Sequence, residues 1–358
     1  MNRAMLTERE RIVLEAVIRT YVETAEPAGS RAIAKRSALG VSPATVRNTM
    51  ADLEEKGYLF HPRTSAGRIP TDMAYRYYVD ALMRPPRLST SERQRLKREL
   101  AGGEATPVVE QLIRRSAEAL GVLTGELGVA IAPRLEEAVL EKLELVAASS
   151  EKVLLVLTLR GGMVRTVYVD LPFTVPPETL VSLTLALNER LHGQTLPEIR
   201  NTLRERLREA ADPADASSHD LINIFIQSAD DIFEWVDYRR ESVHLGRTSV
   251  LANQPEFATG SRLKALLELT EQRDLLASVL GDREHETSLT ITIGGEHAQP
   301  ELSGFTVVTS EYTLGHLSGV IGVIGPTRMP YEKVVALVDG TSAIMKSLLA
   351  PGEGGAGR

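Results

Sequence analysis

The run Leu39-Gly40-Val41-Ser42-Pro43-Ala44-Thr45-Val46-Arg47-Asn48-Thr49-Met50 decides how the N-terminal part of this chain folds. A glycine turn leads into Ser42, which reads as a helix N-cap, and Pro43 takes the first helical position, where a missing N–H costs nothing. Val46, Met50 and Leu53 recur at helical spacing and Gly57 stops the helix, so it spans residues 42–56. With those three side chains inward, a rotation of about 100° per residue puts Ala44, Asn48 and Ala51 opposite, flanked by Thr45 and Arg47. One Arg and one Asn on a helix face are ordinary solvated residues when nothing else is known. The flanking elements change that reading.

Upstream, Leu14, Val17, Ile18 and Tyr21 mark a helix over residues 7–24 that Thr7 can cap. Pro27 and Gly29 break the chain before a short helix at residues 30–37, with Ile33 and Ala34 inward and Arg31 and Lys35 outward. Two helices separated by a glycine turn, after a first supporting helix, describe a helix-turn-helix. Downstream, Tyr58-Leu59-Phe60 reads as a strand, His61 to Arg68 as a polar basic loop, and Ile69-Pro70 as the return: a wing. A further helix from Thr71 is expected to bury Ala74, Tyr77, Tyr78 and Ala81.

In that setting the outward face is a set of reading side chains. Arginine suits guanine O6 and N7, asparagine suits adenine N6 and N7, and Ala or a Thr methyl suits the thymine methyl. Arg63 and Arg68 bring charge to the wing, Thr64 and Ser65 bring hydroxyls, and Gly67 permits unusual backbone angles. Arg31 and Lys35 would touch the phosphate backbone, positioning without specifying. The residues expected to meet double-stranded DNA are therefore Arg31, Lys35, Ser42, Ala44, Thr45, Arg47, Asn48, Arg63, Thr64, Ser65 and Arg68. The tyrosines and phenylalanine at 58, 60, 75, 77 and 78 have the spacing of core packing rather than of a single-strand stacking platform.

The whole-chain charge argues the other way until it is resolved along the sequence. Across 358 residues the net charge is −7, yet residues 27–87 hold ten Lys/Arg against five Asp/Glu, a window of +5 that leaves −12 for the rest. This is a basic module on an acidic body. The chain has no cysteine, which excludes disulfides, thiolate metal sites and cysteine nucleophiles and suits a reducing cytoplasm. Residues 1–11 have no apolar stretch of the secretory kind, and the longest apolar runs fall far below the roughly 18 residues that span a bilayer.

Enzymatic signatures are missing. The seven histidines are scattered, and no H-E-x-x-H, P-loop or G-x-S-x-G pattern occurs. His285, Glu286, Glu296 and His297 lack the tight spacing of a metal site. Glycines 315, 319, 322 and 325 fall among strand residues rather than before a helix, unlike a nucleotide-binding loop. Neither a catalytic residue, a metal nor a cofactor is expected.

The rest of the chain mixes helices and strands. Strands are read at 143–148, 153–159 and 163–171, the last two joined by Gly161-Gly162; a mainly helical block follows at 176–281, and strands return at 288–293, 305–312 and 317–324 before a last helix at 331–349. Strands on both sides of a helical block suggest an α+β domain interrupted by an insertion, with two domains in series as the alternative.

At Thr7-Glu8-Arg9, Pro27-Ala28-Gly29-Ser30, Val41 through Asn48, Leu53 through Leu59 and His61 through Thr71 the sequence resembles the HrcA family of bacterial heat-inducible transcription repressors, and Phe173, Val175 and residues 304–349 are similar to its later part. The resemblance implies an α+β multidomain chain. Its parts would be a winged helix-turn-helix at 1–88, a linker at 89–106, a GAF-like domain from 107–175 and 282–350, an inserted, mainly helical dimerisation domain at 176–281, and a disordered tail at 351–358. It further implies a homodimer that binds the CIRCE inverted-repeat operator of chaperone operons, represses until heat, and depends on a GroEL-type chaperonin. Two other readings of the body remain: a small-molecule sensor or enzyme tethered by the head, and a marginally stable switch whose heat unfolding is the signal.

Overall fold

The computed structural model describes residues 6–36, 40–62, 67–84, 87–101, 109–133, 138–207, 216–228, 243–281, 289–315 and 317–349. The chain forms a mixed α+β structure. Its head begins with α1, Glu8–Thr24, held at its start by a capping box: the Thr7 hydroxyl accepts from the Glu10 N–H, and the Glu10 carboxylate accepts from the Thr7 N–H at 2.8 Å. Burial alone would raise the Glu10 pKa, but the Lys56 ammonium at 2.6 Å and the Thr7 bonds hold it below the ordinary value. That ion pair ties the start of α1 to the end of α3, Pro43–Glu55, and Gly57 with φ +81° turns the chain out of α3. Between them lies α2, Ser30–Arg36.

Strands β1, Leu59–Phe60, and β2, Ile69–Pro70, pair antiparallel at the base of the wing. Thr71 caps α4, Asp72–Tyr77, which runs into a wider π turn at Tyr78–Leu82. That turn alters the expected periodicity: Ala74, Tyr75 and Tyr78 are buried, Tyr77 is only partly so, and Ala81 is exposed. An added residue in the turn rotates position 81 off the core face.

The stretch expected as a linker at 89–106 contains a packed helix, α5, Thr90–Ala101, whose Leu96 and Leu100 are fully buried. It lies against α6, Val109–Thr124, and the terminal helix, Tyr331–Leu349. Two leucines four residues apart give a charged helix one apolar edge, enough to seat it.

Two separate sheets correct the expected pairing. The larger has the order β7-β3-β10-β9-β8 and is antiparallel throughout, from β3, Leu127–Ile131, β7, Val243–Leu245, β8, Thr290–Ile293, β9, Phe305–Leu314, and β10, Leu317–Pro326. Strands β3 and β7 were not expected. β7 lies inside the block read as a helical insertion at 176–281, yet it pairs with β3. The smaller sheet, β4-β5-β6, consists of Leu140–Ser149, Lys152–Leu159 and Met163–Asp170. Those strands were expected to share a domain with residues 282–350; among the described residues they pair only with one another. Their inner face packs on α7, Pro177–Leu191, which in turn packs on α8, Leu196–Leu207, and α9, Ala216–Gln227. Thus the segment that departs from the main sheet and returns to it lies between β3 and β7 and takes its own three strands with it. Residues 351–358, expected as a disordered tail, lie outside the described residues.

The larger sheet is covered on both sides. Ala130, Val308, Tyr312, Ile321 and Val323 meet the side of α6 and the terminal helix, while Val129, Ile131, Val307 and Ile324 meet α10, Gly260–Glu271, and α11, Arg273–Gly281. The chain breaks between these two helices at Gln272. Gly128 is where α6 crosses β3, and a Cβ there would lie 1.8 Å from the Ala117 carbonyl oxygen.

Candidate nucleic-acid interface

The N-terminal turn of α3 is built by its cap. The Ser42 hydroxyl accepts the Thr45 N–H at 3.2 Å and lies 3.0 Å from the Thr45 hydroxyl. Both hydroxyls are therefore engaged with each other, which leaves the Thr45 methyl as the part of that side chain available for an apolar contact. Val46, Met50 and Leu53 are buried as the spacing required, and Ala44, Arg47, Asn48 and Ala51 are exposed. Among the described residues, neither Arg47 nor Asn48 is engaged through its side chain. An unengaged guanidinium and an unengaged carboxamide, one residue apart on a capped helix, present donors and an acceptor to whatever approaches. The helix start adds the positive end of its dipole.

On α2, Arg31 and Lys35 are exposed and likewise unengaged among the described residues. Their neighbour Arg36 serves the fold instead, reaching Glu23 at 2.6 Å and the Thr20 hydroxyl at 3.3 Å.

The wing divides the expected residues. Arg63, Thr64 and Ser65 lie outside the described residues. Arg68 is described, and it is a clamp: its Nε donates to Glu54 at 2.7 Å, its side chain is 18% exposed, and its backbone exchanges both hydrogen bonds with Ala28. A cation expected to face phosphate thus ties the base of the wing to α3. Sequence charge alone could not separate the two roles, because Glu54 lies fourteen residues upstream. Gly67 fits the same packing, since a Cβ there would lie 2.5 Å from the Pro27 carbonyl oxygen.

The head is also seated on the body by contacts that no motif announced. Arg76 donates to both oxygens of Glu296, at 2.7 and 2.5 Å, and to the Ile291 carbonyl at 2.5 Å; the Glu296 bonds raise its pKa. Beside it, Asp72 accepts the Gly295 N–H at 2.9 Å, and a Cβ on Gly294 would collide with the Asp72 carboxylate at 2.1 Å. Arg328 pairs with Glu256 and donates to the Val22 carbonyl at 2.8 Å; Arg19 and the Tyr78 hydroxyl both reach Glu332. Glu296, which with His297 lacks the spacing of a metal site, is an ion-pair partner of Arg76.

A helix-turn-helix with a two-stranded wing base, its polar helix face open and its opposite side bound to an α+β body, is the build of a transcription regulator. Residues 110–335 match the family model described as HrcA protein C terminal domain. The heat-inducible transcription repressor HrcA of Chlorobium phaeobacteroides (strain BS1) is 38% identical over 342 residues, spanning 93% of this chain and 96% of that protein. Its counterpart in Geobacter sulfurreducens is 36% identical, spanning 96% of this chain and 98% of that one. A crystal structure of a hypothetical protein shares the fold with a TM-score of 0.64 and 21% identity, covering 96% of this chain and 99% of that one. The chain belongs to the HrcA family of heat-inducible transcription repressors, a family of regulators rather than enzymes. Among the described residues no helix is long and apolar enough to cross a membrane.

Proposed function

We propose that the chain is a sequence-specific DNA-binding repressor of heat-shock operons, those encoding chaperonin and the DnaK machinery, and that it works in the cytoplasm as a homodimer on the CIRCE inverted repeat. The observation that carries this reading is the capped α3 with Arg47 and Asn48 exposed and unengaged. An inverted repeat needs two copies of that helix related by a two-fold axis. The second copy is supported by the outward face of the β4-β5-β6 sheet, where Val146, Leu154 and Tyr168 line up across the strands and Tyr168 is 66% exposed. Val181 and Leu185 continue this face from α7, one step around the helix from Thr184 and Asn188, whose side chains bond the backbone of β4. Exposed apolar area of this kind is what an interface between copies covers. Heating releases the operator, and a GroEL-type chaperonin restores the binding state.

The test is operator affinity in the Arg47→Ala, Asn48→Ala double variant. Each lost base contact costs about 1–3 kcal/mol and relaxes base preference at its position. Unchanged affinity and preference would overturn the reading. Arg31→Ala, at a backbone-contacting position, is expected to weaken all duplexes evenly.

A further inference from the structure

Residues 84–98 carry Arg84, Arg87, Arg93, Arg95, Lys97 and Arg98 against Glu92 alone. Among the described residues none of the six cations is engaged through its side chain. Glu92 is used: its carboxylate caps α5, accepting from the Ser89 N–H at 2.9 Å and the Ser89 hydroxyl at 2.6 Å, bonds that lower its pKa.

Leu96 and Leu100 face the body, so at about 100° per residue Arg93 and Lys97 fall on one flank, Arg98 on the outer side, and Arg95 beyond it, beside Glu99 and Glu92 on the other flank. This array is fixed in place rather than carried on a loose connector. Leu88 lies flush over Gly340 of the terminal helix, so close that a Cβ on Gly340 would meet its Cδ1 at 2.2 Å. Arg84, Arg87 and Lys333 line a recess with Glu92 of α5 and with Glu332, the residue that Arg19 and Tyr78 of the head contact, so this part of the array adjoins the head.

We propose that the cationic side of α5, together with Arg84 and Arg87, is a second DNA-contacting surface, one that takes backbone phosphates without reading bases. It rests on the DNA-binding reading above and extends the contact beyond the helix-turn-helix. Charge complementarity selects the occupant: exposed point charges spread over the outer side of a helix suit the regular charge of a duplex backbone. No large hydrophobic side chain among the described residues of 84–101 is exposed, so this face lacks what insertion into a lipid surface or docking of an apolar peptide requires.

The experiment compares the full-length chain with its R93Q/R95Q/K97Q/R98Q variant, and separately with R84Q/R87Q. Affinities are measured for an inverted-repeat operator duplex and a scrambled duplex of equal length, across about 50–300 mM salt. Each lost phosphate contact makes the slope of log affinity against log salt shallower by about 0.9, so the quadruple variant is expected to lose roughly 2–4 of slope. At intermediate salt it should bind both duplexes about tenfold or more weakly, with the operator-to-scrambled ratio and the melting temperature unchanged. An unchanged slope overturns the proposal. So does a loss confined to the operator, or loss of binding to phosphatidylserine vesicles with the DNA slope intact. If the quadruple variant melts early, R84Q/R87Q, outside the helix, decides by the same slope. A parent chain that does not prefer operator over scrambled duplex sinks the repressor reading instead, while the slope difference on scrambled duplex still judges this surface.

Discussion

The two sheets of the body are built from similar residues and end up in opposite situations. In the five-strand sheet, β3 is buried at every position and β10 at nearly every one, because helices cover both faces. In the three-strand sheet the strands alternate, with Leu155, Leu157 and Val169 inward and Leu154, Val156, Val164 and Tyr168 outward, where these apolar side chains lie among the ion pairs Lys142–Glu144 and Lys152–Asp170. Alternation normally sets polar residues outward on such a sheet. Apolar residues on both faces of two sheets, only one of them covered twice among the described residues, teach that composition marks where contact is needed and not what supplies it.

That contrast can be broken at either sheet. The largest effect is expected from Gly128→Val in the covered sheet: with a Cβ forced to 1.8 Å from the Ala117 oxygen, the chain should lose more than about 4 kcal/mol or fail to fold, as circular dichroism and protease resistance would report. A normally folded Gly128→Val variant would mean α6 does not cross β3 so closely.

Next comes the acid that the covered sheet buries. Desolvation pushes the Glu126 pKa up to about 8, only partly offset by the bond from Gln254, so the carboxyl is favoured in its neutral form in the fold. Because the folded pKa lies above the unfolded one, its contribution is complete below about pH 4.5 and is lost as pH rises toward 8. Glu126→Gln should therefore flatten stability over that window, gaining roughly 2–4 kcal/mol over the parent near neutral pH, measured by denaturant titration at several pH values. Parallel pH profiles for the two proteins would refute it.

On the bare sheet, Val164→Asp with Tyr168→Asp should leave the fold of the single chain within about 0.5 kcal/mol and weaken self-association at least tenfold, by sedimentation. Undiminished association would place the contact between copies elsewhere. The smallest effect separates two arginines. Arg68→Ala should cost about 1 kcal/mol of stability by releasing Glu54, and Arg31→Ala should cost none. Equal melting curves for the two would remove the clamp.

The head was legible because its signals are local. Thr7, Ser42 and Gly57 mark helix ends within a turn of the groups they satisfy, and the stripe Val46, Met50, Leu53 faces in as its spacing says. Among the candidate site residues, Arg47, Asn48, Arg31 and Lys35 stand exposed as expected, whereas the partner of Arg68 was invisible in the local pattern. The body was less legible for a physical reason. Leu-Gly-Val-Ala-Ile at β3 is a short apolar run next to a helix, β7 is three residues long, and neither has a period to detect. Sheet membership depends on pairing across long stretches of chain, which composition does not encode.

That long pairing carries a consequence for the order in which the protein is made. β3 ends at Ile131, its neighbours begin at Val243 and Leu317, and all five of its residues are buried in the finished sheet. As a ribosome extends the chain from its N-terminus, the head can close on itself early, while β3 must stand without either neighbouring strand until most of the body has emerged. During that interval the nascent chain exposes an apolar strand with both edges open, the kind of surface that chaperones hold. The reading head is thus complete well before the platform that seats it.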